Sequence, residues 1–388
     1  MRIVIHNFGP IKEADIETKR YTVFIGQTST GKSVAAKLIS IANAPDFLML
    51  ANADYDGFIK LLTKYNIDFI FNDNTEITII REQASWIIRK NSFKMQGQLD
   101  NFWSKMNGDD DFDIKAQRTA ESFLNKEDLN DVSESQLKML YLLTTRMVIK
   151  NMSPVYIPAE RILISLFTNN IFSLLQIDSS IPESIKRFGS LYEDAKSKTK
   201  QFDIDFMNIR VKFSKEKDTI HLEGDDVDID FSQASSGMQS IIPMWSVFCN
   251  VLNDYERTIV VEEPELNLFP TLQVALICNM AERINASKAN LVLTSHSPYI
   301  LSVFDNLIYA KDVFDRADDE RKEKVAALVN PEAMISYDDI AAYSFDDQGI
   351  VTFINDPETH STGAYALDAA SNETANVFNE LLAIDNEL

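Results

Sequence analysis

Gly26-Gln-Thr-Ser-Thr-Gly-Lys-Ser33 meets the pattern G-x-x-x-x-G-K-[ST] at every fixed position. The glycines let the backbone curl so that successive N–H groups point at phosphate oxygens. A helix opening directly after the loop adds the partial positive charge of its N-terminus. Lys32 is then placed to reach the β- and γ-phosphates, and the Ser33 hydroxyl to ligate Mg²⁺. The candidate ATP-binding residues are therefore Gly26, Gln27, Thr28, Ser29, Thr30, Gly31, Lys32 and Ser33.

The flanks meet the context that this loop requires. Met1 to Phe8 and Ile16 to Ile25 read as strands, and Ser33 to Ala42 carries apolar residues at helical spacing. From Pro45 to Met152 the pattern changes. A strand-like pair at 76–80 and 84–88 precedes helical stretches at 116–126 and 133–150. Val155 to Ile157 reads as a short strand, Ile162 to Lys198 as helix and Phe202 to Phe231 as strands. The second half then alternates helix and strand: helix 241–252, strand 258–261, helix 271–284, strand 290–294 and a short helix 298–304. Such alternation predicts an α/β fold around a mostly parallel central sheet, with β elements at the N-terminus and an inserted, mostly helical lobe. The expected domains are a core over 1–44 and 153–310, the lobe over 45–152 and a C-terminal α/β extension over 311–388.

Three further stretches carry candidate chemistry. Thr258-Ile-Val-Val-Glu-Glu-Pro-Glu265 is an apolar strand ending in carboxylates, and a buried parallel strand delivers its C-terminal end to the ligand side of a sheet. Glu262 is placed to bind Mg²⁺, and Glu263 to orient and polarise an attacking water. Both could equally be solvated surface. Asn290-Leu-Val-Leu-Thr-Ser-His-Ser-Pro298 is a second buried strand, whose His296 is placed to contact a γ-phosphate or to serve as a structural residue. Ala234-Ser235-Ser236-Gly237 at a helix start is either an anion site or an ordinary N-cap.

In this order the four motifs resemble the head of the ABC-type ATPases. Gly26–Ser33 corresponds to Walker A, Ala234–Gly237 to the signature turn, Ile259–Glu263 to Walker B and His296 to the switch histidine. The wording "NFGPI", "EEPELNLFP" and "TSHSPYIL" resembles the OLD-type (overcoming lysogenisation defect) and SMC-like AAA-family ATPases of bacteria. "YIPAER" and "SSGMQS" resemble ATPase subunits of Septu-type and retron-associated anti-phage systems. The likeness covers about Met1 to Asp305, with the 45–152 lobe unmatched. It implies an ATP hydrolase in which Ser235, Ser236 and Gly237 of one subunit cap ATP held by Walker A of another. Glu263 and His296 would then be catalytic. Glu262 stands where the family has aspartate, and Asn267 and Phe269 stand where relatives often carry histidines. No Q-loop glutamine is evident, and Glu160 or Arg161 is expected nearby in space.

Composition bounds the partners. A net charge of −22 disfavours a broad nucleic-acid surface, because phosphate binding needs surplus Lys and Arg. The longest apolar-leaning run, Ile241 to Leu252, is too short for a membrane span and contains Pro243. The N-terminus lacks a secretory pattern, so the expected compartment is the cytoplasm. Cys249 and Cys278 read as buried reduced thiols. The acidic clusters at 108–113 and 223–230 do not fit a calcium loop. The expected partners are a second copy in a homodimer or higher homo-oligomer, and a separate effector protein, a nuclease or toxin, since neither a Toprim acid cluster nor HNH histidines are found. The alternative expectation is a DNA-repair or recombination ATPase that clamps DNA on its dimerised heads. A transporter subunit lacks support, having neither a membrane span nor Leu-Ser-Gly-Gly-Gln wording.

Overall fold

The computed structural model describes residues 1–50, 54–81, 84–97, 151–164, 181–214, 217–222, 224, 227–252 and 255–363. The helices expected at 116–126 and 133–150, the acidic cluster at 108–113 and part of the helix expected at 162–198 lie outside them.

Three strands open the chain: β1 (Arg2–Phe8), β2 (Ile11–Glu17) and β3 (Tyr21–Gly26). The single strand expected over 16–25 is thus two. Thr22 Oγ1 accepts the Lys19 N–H at 3.1 Å and closes the turn between them. Helices α1 (Lys32–Asn43), α2 (Pro45–Leu48) and α3 (Tyr55–Lys64) follow, then β4 (Glu76–Arg81), β5 (Ala84–Arg89) and β6 (Ser92–Gly97). The expected pairing of β4 with β5 forms, with Ile79 opposite Trp86. β4 also pairs with β1, Ile3 opposite Ile79, giving one antiparallel sheet in the order β2-β1-β4-β5-β6. Residues 76–97, grouped with the inserted lobe on sequence, therefore extend the N-terminal sheet. A lone hairpin is marginal in water, and this one gains a partner that buries Ile77, Ile79, Trp86 and Ile88.

The chain continues through β7 (Val155–Ile157), α4 (Glu183–Lys198) and the small antiparallel strands β8 (Gln201–Ile204), β9 (Ile209–Lys212), β10 (Thr219–Leu222) and β11 (Asp228–Asp230). After them come α5 (Ser236–Val251), β12 (Arg257–Glu262), α6 (Pro270–Asn285), β13 (Ala289–Ser295) and α7 (Pro298–Arg316). α8 (Asp319–Leu328), β14 (Ile340–Phe345) and β15 (Val351–Phe353) complete the described chain. Two helices differ from expectation. α5 begins at Ser236, because Ser235 caps it by accepting the Met238 N–H, so the Ser-Ser-Gly turn forms part of the helix start. α7 runs to Arg316, since its buried stripe of Ile300, Leu301, Phe304, Leu307 and Ile308 meets no glycine or proline.

The central sheet has the order β15-β14-β3-β13-β12-β7, parallel throughout except for β15. Residues 340–353, assigned on sequence to the C-terminal extension, supply two of its strands. Both faces are covered, as parallel strands require. Val23, Ile259, Val261, Leu291 and Leu293 point into a core built with α5, α6 and α7. Their alternates Phe24, Val260 and Val292 point into a second core with α1 and the N-terminal sheet. Cys249 and Cys278 are free, as expected, but only partly buried.

Candidate functional site

β3, β13 and β12 lie side by side, with Ser295 in register with Ile25 and Glu262 with Thr294. Their C-terminal ends therefore meet, and the three loops that leave them share one site.

The 26–33 loop has the backbone that its glycines permit. Gly31 caps α1 at φ +105°, and a Cβ there would stand 2.6 Å from Ile11 Cγ1. Gly26 lies at φ +150°, where a Cβ would meet the Phe345 carbonyl oxygen at 2.3 Å. Lys32 is buried, 5% exposed, and its ammonium donates to the carbonyls of Gly26 at 2.8 Å and Gln27 at 2.6 Å. Burial pulls the Lys32 pKa down to about 8, against the opposing charges of Glu263, Glu265 and Glu262. Thr30 donates to the Gln27 carbonyl at 2.9 Å, while Gln27, Thr28, Ser29 and Ser33 are exposed.

Glu262 ends β12 inside the protein, 3% exposed. Its Oε2 lies 3.4 Å from the Ala159 N–H, while its Oε1 is buried with no hydrogen-bond partner. That carboxylate oxygen, at the C-terminal end of β12, has the donor chemistry a hard divalent cation takes. The donor types of Ser33 and Glu262, a hydroxyl and a carboxylate, suit a magnesium ion. Among the described residues no group of three His, Cys, Asp or Glu is arranged to hold a metal unaided. Nucleotide oxygens and water would complete the shell. Burial and the charge of Glu262 hold the neighbouring Tyr156 phenol well above its ordinary pKa.

Glu263 sits at φ +43° with a half-buried carboxylate. Oε1 of Glu263 lies 2.9 Å from His296 Nε2, and His296 Nδ1 lies 2.9 Å from the Gly26 carbonyl oxygen and 3.4 Å from Lys32 Nζ. A carboxylate and a carbonyl both accept, so the neutral imidazole can serve one of them at a time and the protonated ring both. With the ring neutral and its proton on Nε2, Nδ1 accepts from Lys32 and Nε2 donates to Glu263, so Lys32, His296 and Glu263, drawn from three separate motifs, lie in one chain of contacts.

Two residues not singled out for this role on sequence hold the chain in place. Arg161, fully buried, donates to the carbonyls of Glu262 at 2.7 Å and Glu263 at 2.6 Å. Burial pulls its pKa down to about 10, against Glu265, Glu263 and Glu262. Glu265, 8% exposed, accepts from the Ser295 hydroxyl at 2.6 Å and the His296 N–H at 3.0 Å. The signal for both was their place in "YIPAER" and "EEPE". Nothing in those words says that they point inward.

The signature residues stand elsewhere. Ser235 and Ser236 are exposed, and no hydrogen bond links 234–237 to 26–33 among the described residues. Gly237 packs against the loop after β12, where a Cβ would stand 2.8 Å from the Asn267 carbonyl oxygen. Asp228 and Asp230 of the second acidic cluster pair with His221 and Lys217 at 3.0 and 2.9 Å. No helix among the described residues is long and apolar enough to cross a membrane.

Residues 167–301 match the family model for an AAA ATPase domain. That span takes in the signature turn, both acids at the end of β12 and His296, and begins after the 26–33 loop. No curated protein matches the chain. Among solved structures it is similar to the SMC head domain from Thermotoga maritima, at 10% identity and a TM-score of 0.37, over 91% of this chain and 97% of that one. It is also similar to an Smc head bound to the C-terminal winged-helix domain of ScpA, at 11% identity and a TM-score of 0.38, over 91% and 96%. A third is the Smc head domain with an extended coiled coil, bound to the C-terminal domain of ScpA derived from Pyrococcus furiosus, at 11% and 0.36, over 91% and 95%.

Proposed function

We propose that this chain is a magnesium-dependent ATP hydrolase whose site is completed by a second copy of itself. The observation that carries the reading is the chain of contacts from Lys32 through His296 to Glu263, which joins the phosphate loop after β3 to a carboxylate just past the end of β12, across the intervening β13. The triphosphate is held by the N–H groups of 26–33 and by Lys32, which turns from the Gly26 and Gln27 carbonyls to the phosphate oxygens. Ser33 and Glu262 would hold a magnesium ion, which would supply positive charge to offset that of the phosphates. Glu263 orients the attacking water, and His296 holds Glu263 against the phosphate loop and contacts the γ-phosphate. The exposed Ser235 and Ser236, with the half-buried Gly237 beside them, cap the nucleotide bound by the partner copy, head to tail.

The finer reading is that ATP-driven dimerisation holds or releases a separate effector protein, a nuclease or toxin, in anti-phage defence. It rests on the motif wording "EEPELNLFP", "YIPAER" and "SSGMQS". Co-purification of the native complex with identification of the bound protein tests it, and recovery of DNA with no protein partner points to the DNA-clamping alternative.

The hydrolytic reading is tested with Glu263→Gln. The amide keeps the size and one acceptor but cannot take a proton, so turnover should fall by about 10²–10⁴-fold. ATP affinity by calorimetry should stay close to that of the parent, and the ATP-bound dimer should accumulate in light scattering. Parental turnover would remove Glu263 from the reaction.

A further inference from the structure

We propose that Arg161 is the positioning residue for the Glu263 carboxylate, an inference that rests on the hydrolytic reading of the site. Its guanidinium is wholly buried and spans two adjacent peptide units. Nη1 donates to the Glu262 carbonyl at 2.7 Å and the Pro158 carbonyl at 3.2 Å, and Nη2 to the Glu263 carbonyl at 2.6 Å. Between the two clamped carbonyls, at the end of β12 and just beyond it, lies the Cα of Glu263, at φ +43°. An L-residue with a long side chain is disfavoured there and stays only when its surroundings over-determine it. The surroundings do so from three sides. The Glu263 N–H donates to Thr294 O at 2.8 Å, Leu266 N–H donates to Glu263 O at 3.0 Å, and Arg161 grips both flanking carbonyls. A return of φ to the ordinary helical or extended region would swing the side chain off the 2.9 Å contact with His296. Arg161 therefore acts on the reaction through the direction of the Glu263 side chain, and touches no substrate atom.

The fork is what does this. Lysine carries the same charge, but its ammonium gathers carbonyls around a single nitrogen, as Lys32 does, without the plane and fixed spacing of the fork. Arg161 also faces the charges of Glu265, Glu263, Glu262 and Glu160. A role as plain counter-charge to these acids would be kept by lysine, and this separates the two accounts.

The test is a double-mutant cycle on the full chain. Arg161→Lys should lower turnover by about 10- to 100-fold, the size of effect expected from a misdirected catalytic group. ATP affinity by calorimetry should change by less than about threefold, because the phosphate loop is untouched. In the Glu263→Gln background the same change should alter the residual rate by less than about twofold, since the group that Arg161 directs is already disabled. Arg161→Gln, whose amide can donate to one carbonyl, serves as the second variant, with thermal melting as the check on folding. Parental turnover in Arg161→Lys overturns the inference, as does an equal slowing in both backgrounds. So does failure of both variants to fold, which makes the guanidinium a support of the fold. Parental turnover in Glu263→Gln alone overturns instead the hydrolytic reading beneath it.

Discussion

Glu265→Met replaces a buried acceptor with an apolar side chain of similar length. Glu265 accepts two hydrogen bonds through Oε1, and its Oε2 is buried with no partner. Methionine leaves both donors behind. The Ser295 hydroxyl has a second acceptor within reach, the Ser297 carbonyl at 3.5 Å, so its loss is partly recovered. The His296 N–H sits at the strand end and is left unpaired. A buried donor deprived of its partner costs about 1–3 kcal/mol, and one full loss plus one partial loss comes to about 2–4 kcal/mol. Removing a poorly satisfied buried carboxylate returns some of that, which puts the expectation toward the lower end. Glu265→Gln keeps an acceptor for both donors but puts an amide NH₂ where Oε2 finds no partner, for a smaller cost of about 1 kcal/mol. Urea unfolding of parent and variants, compared at constant slope, reads the difference as a shift of midpoint. The order of stability should be parent, then Gln, then Met. A Met variant within about 0.5 kcal/mol of the parent would show that Glu265 is not what fixes the end of β13. Turnover should fall with stability in the Met variant, because the freed His296 no longer holds its 2.9 Å contact with Glu263.

Lys32→Ala should weaken ATP binding by more than about tenfold while leaving the thermal midpoint near that of the parent, since it deletes a charge-assisted phosphate contact; calorimetry on the folded variant checks this, and unchanged affinity sinks the phosphate-loop assignment. Ser235→Arg should abolish turnover, yet mixing it with Lys32→Ala should restore part of it through one intact composite site; full turnover in Ser235→Arg as a dilute monomer would reduce the turn to a helix cap. Gly31→Ala should destabilise more than Gly224→Ala. Both sit at strained positive φ, +105° and +102°, but only Gly31 would drive a Cβ to 2.6 Å from a neighbour. The excess should be about 1–3 kcal/mol by thermal melting, and equal losses would show that Ile11 yields freely.

Much of the core was legible because buried parallel strands read as unbroken apolar runs. Thr258 to Val261 and Asn290 to Thr294 announced β12 and β13 to within a residue or two, and the charged or polar residues ending them marked the side where loops meet. What stayed hidden follows from range and direction. The β1–β4 pairing joins residues about seventy apart, and local alternation carries no information about which distant strand supplies the hydrogen bonds. The left-handed backbone at Glu263 leaves no trace in a residue type that rarely adopts it. Arg161 and Glu265 were visible as letters in motifs, but a charged residue beside a short strand is more often solvated than buried. Only the packed structure shows the two of them facing inward to hold backbone groups. The signature turn differs again: its two serines are exposed in the single chain, so one copy cannot display the contact proposed for two.

The charges at the strand ends give a physical reason for both proposed contributors, the cation and the second copy. Glu262, Glu263 and Glu265 bring three carboxylates to a site whose nearby cations are Lys32 and Arg161, both pulled toward neutrality by burial and held charged by those acids. A triphosphate entering there adds further negative charge, and Lys32 can serve it only by releasing the Gly26 and Gln27 carbonyls. Arg161 cannot turn to help, because its fork is committed to the backbone of Glu262 and Glu263. One mobile ammonium is too little charge for three carboxylates and a polyphosphate in a partly desolvated pocket. A magnesium ion held by Glu262, whose Oε1 is buried without a hydrogen-bond partner, would supply two positive charges from within. The proposed partner copy supplies the partial positive N-terminus of its α5 from outside, with the Ser235 and Ser236 hydroxyls at its tip. Loss of either should therefore weaken nucleotide closure for the same electrostatic reason.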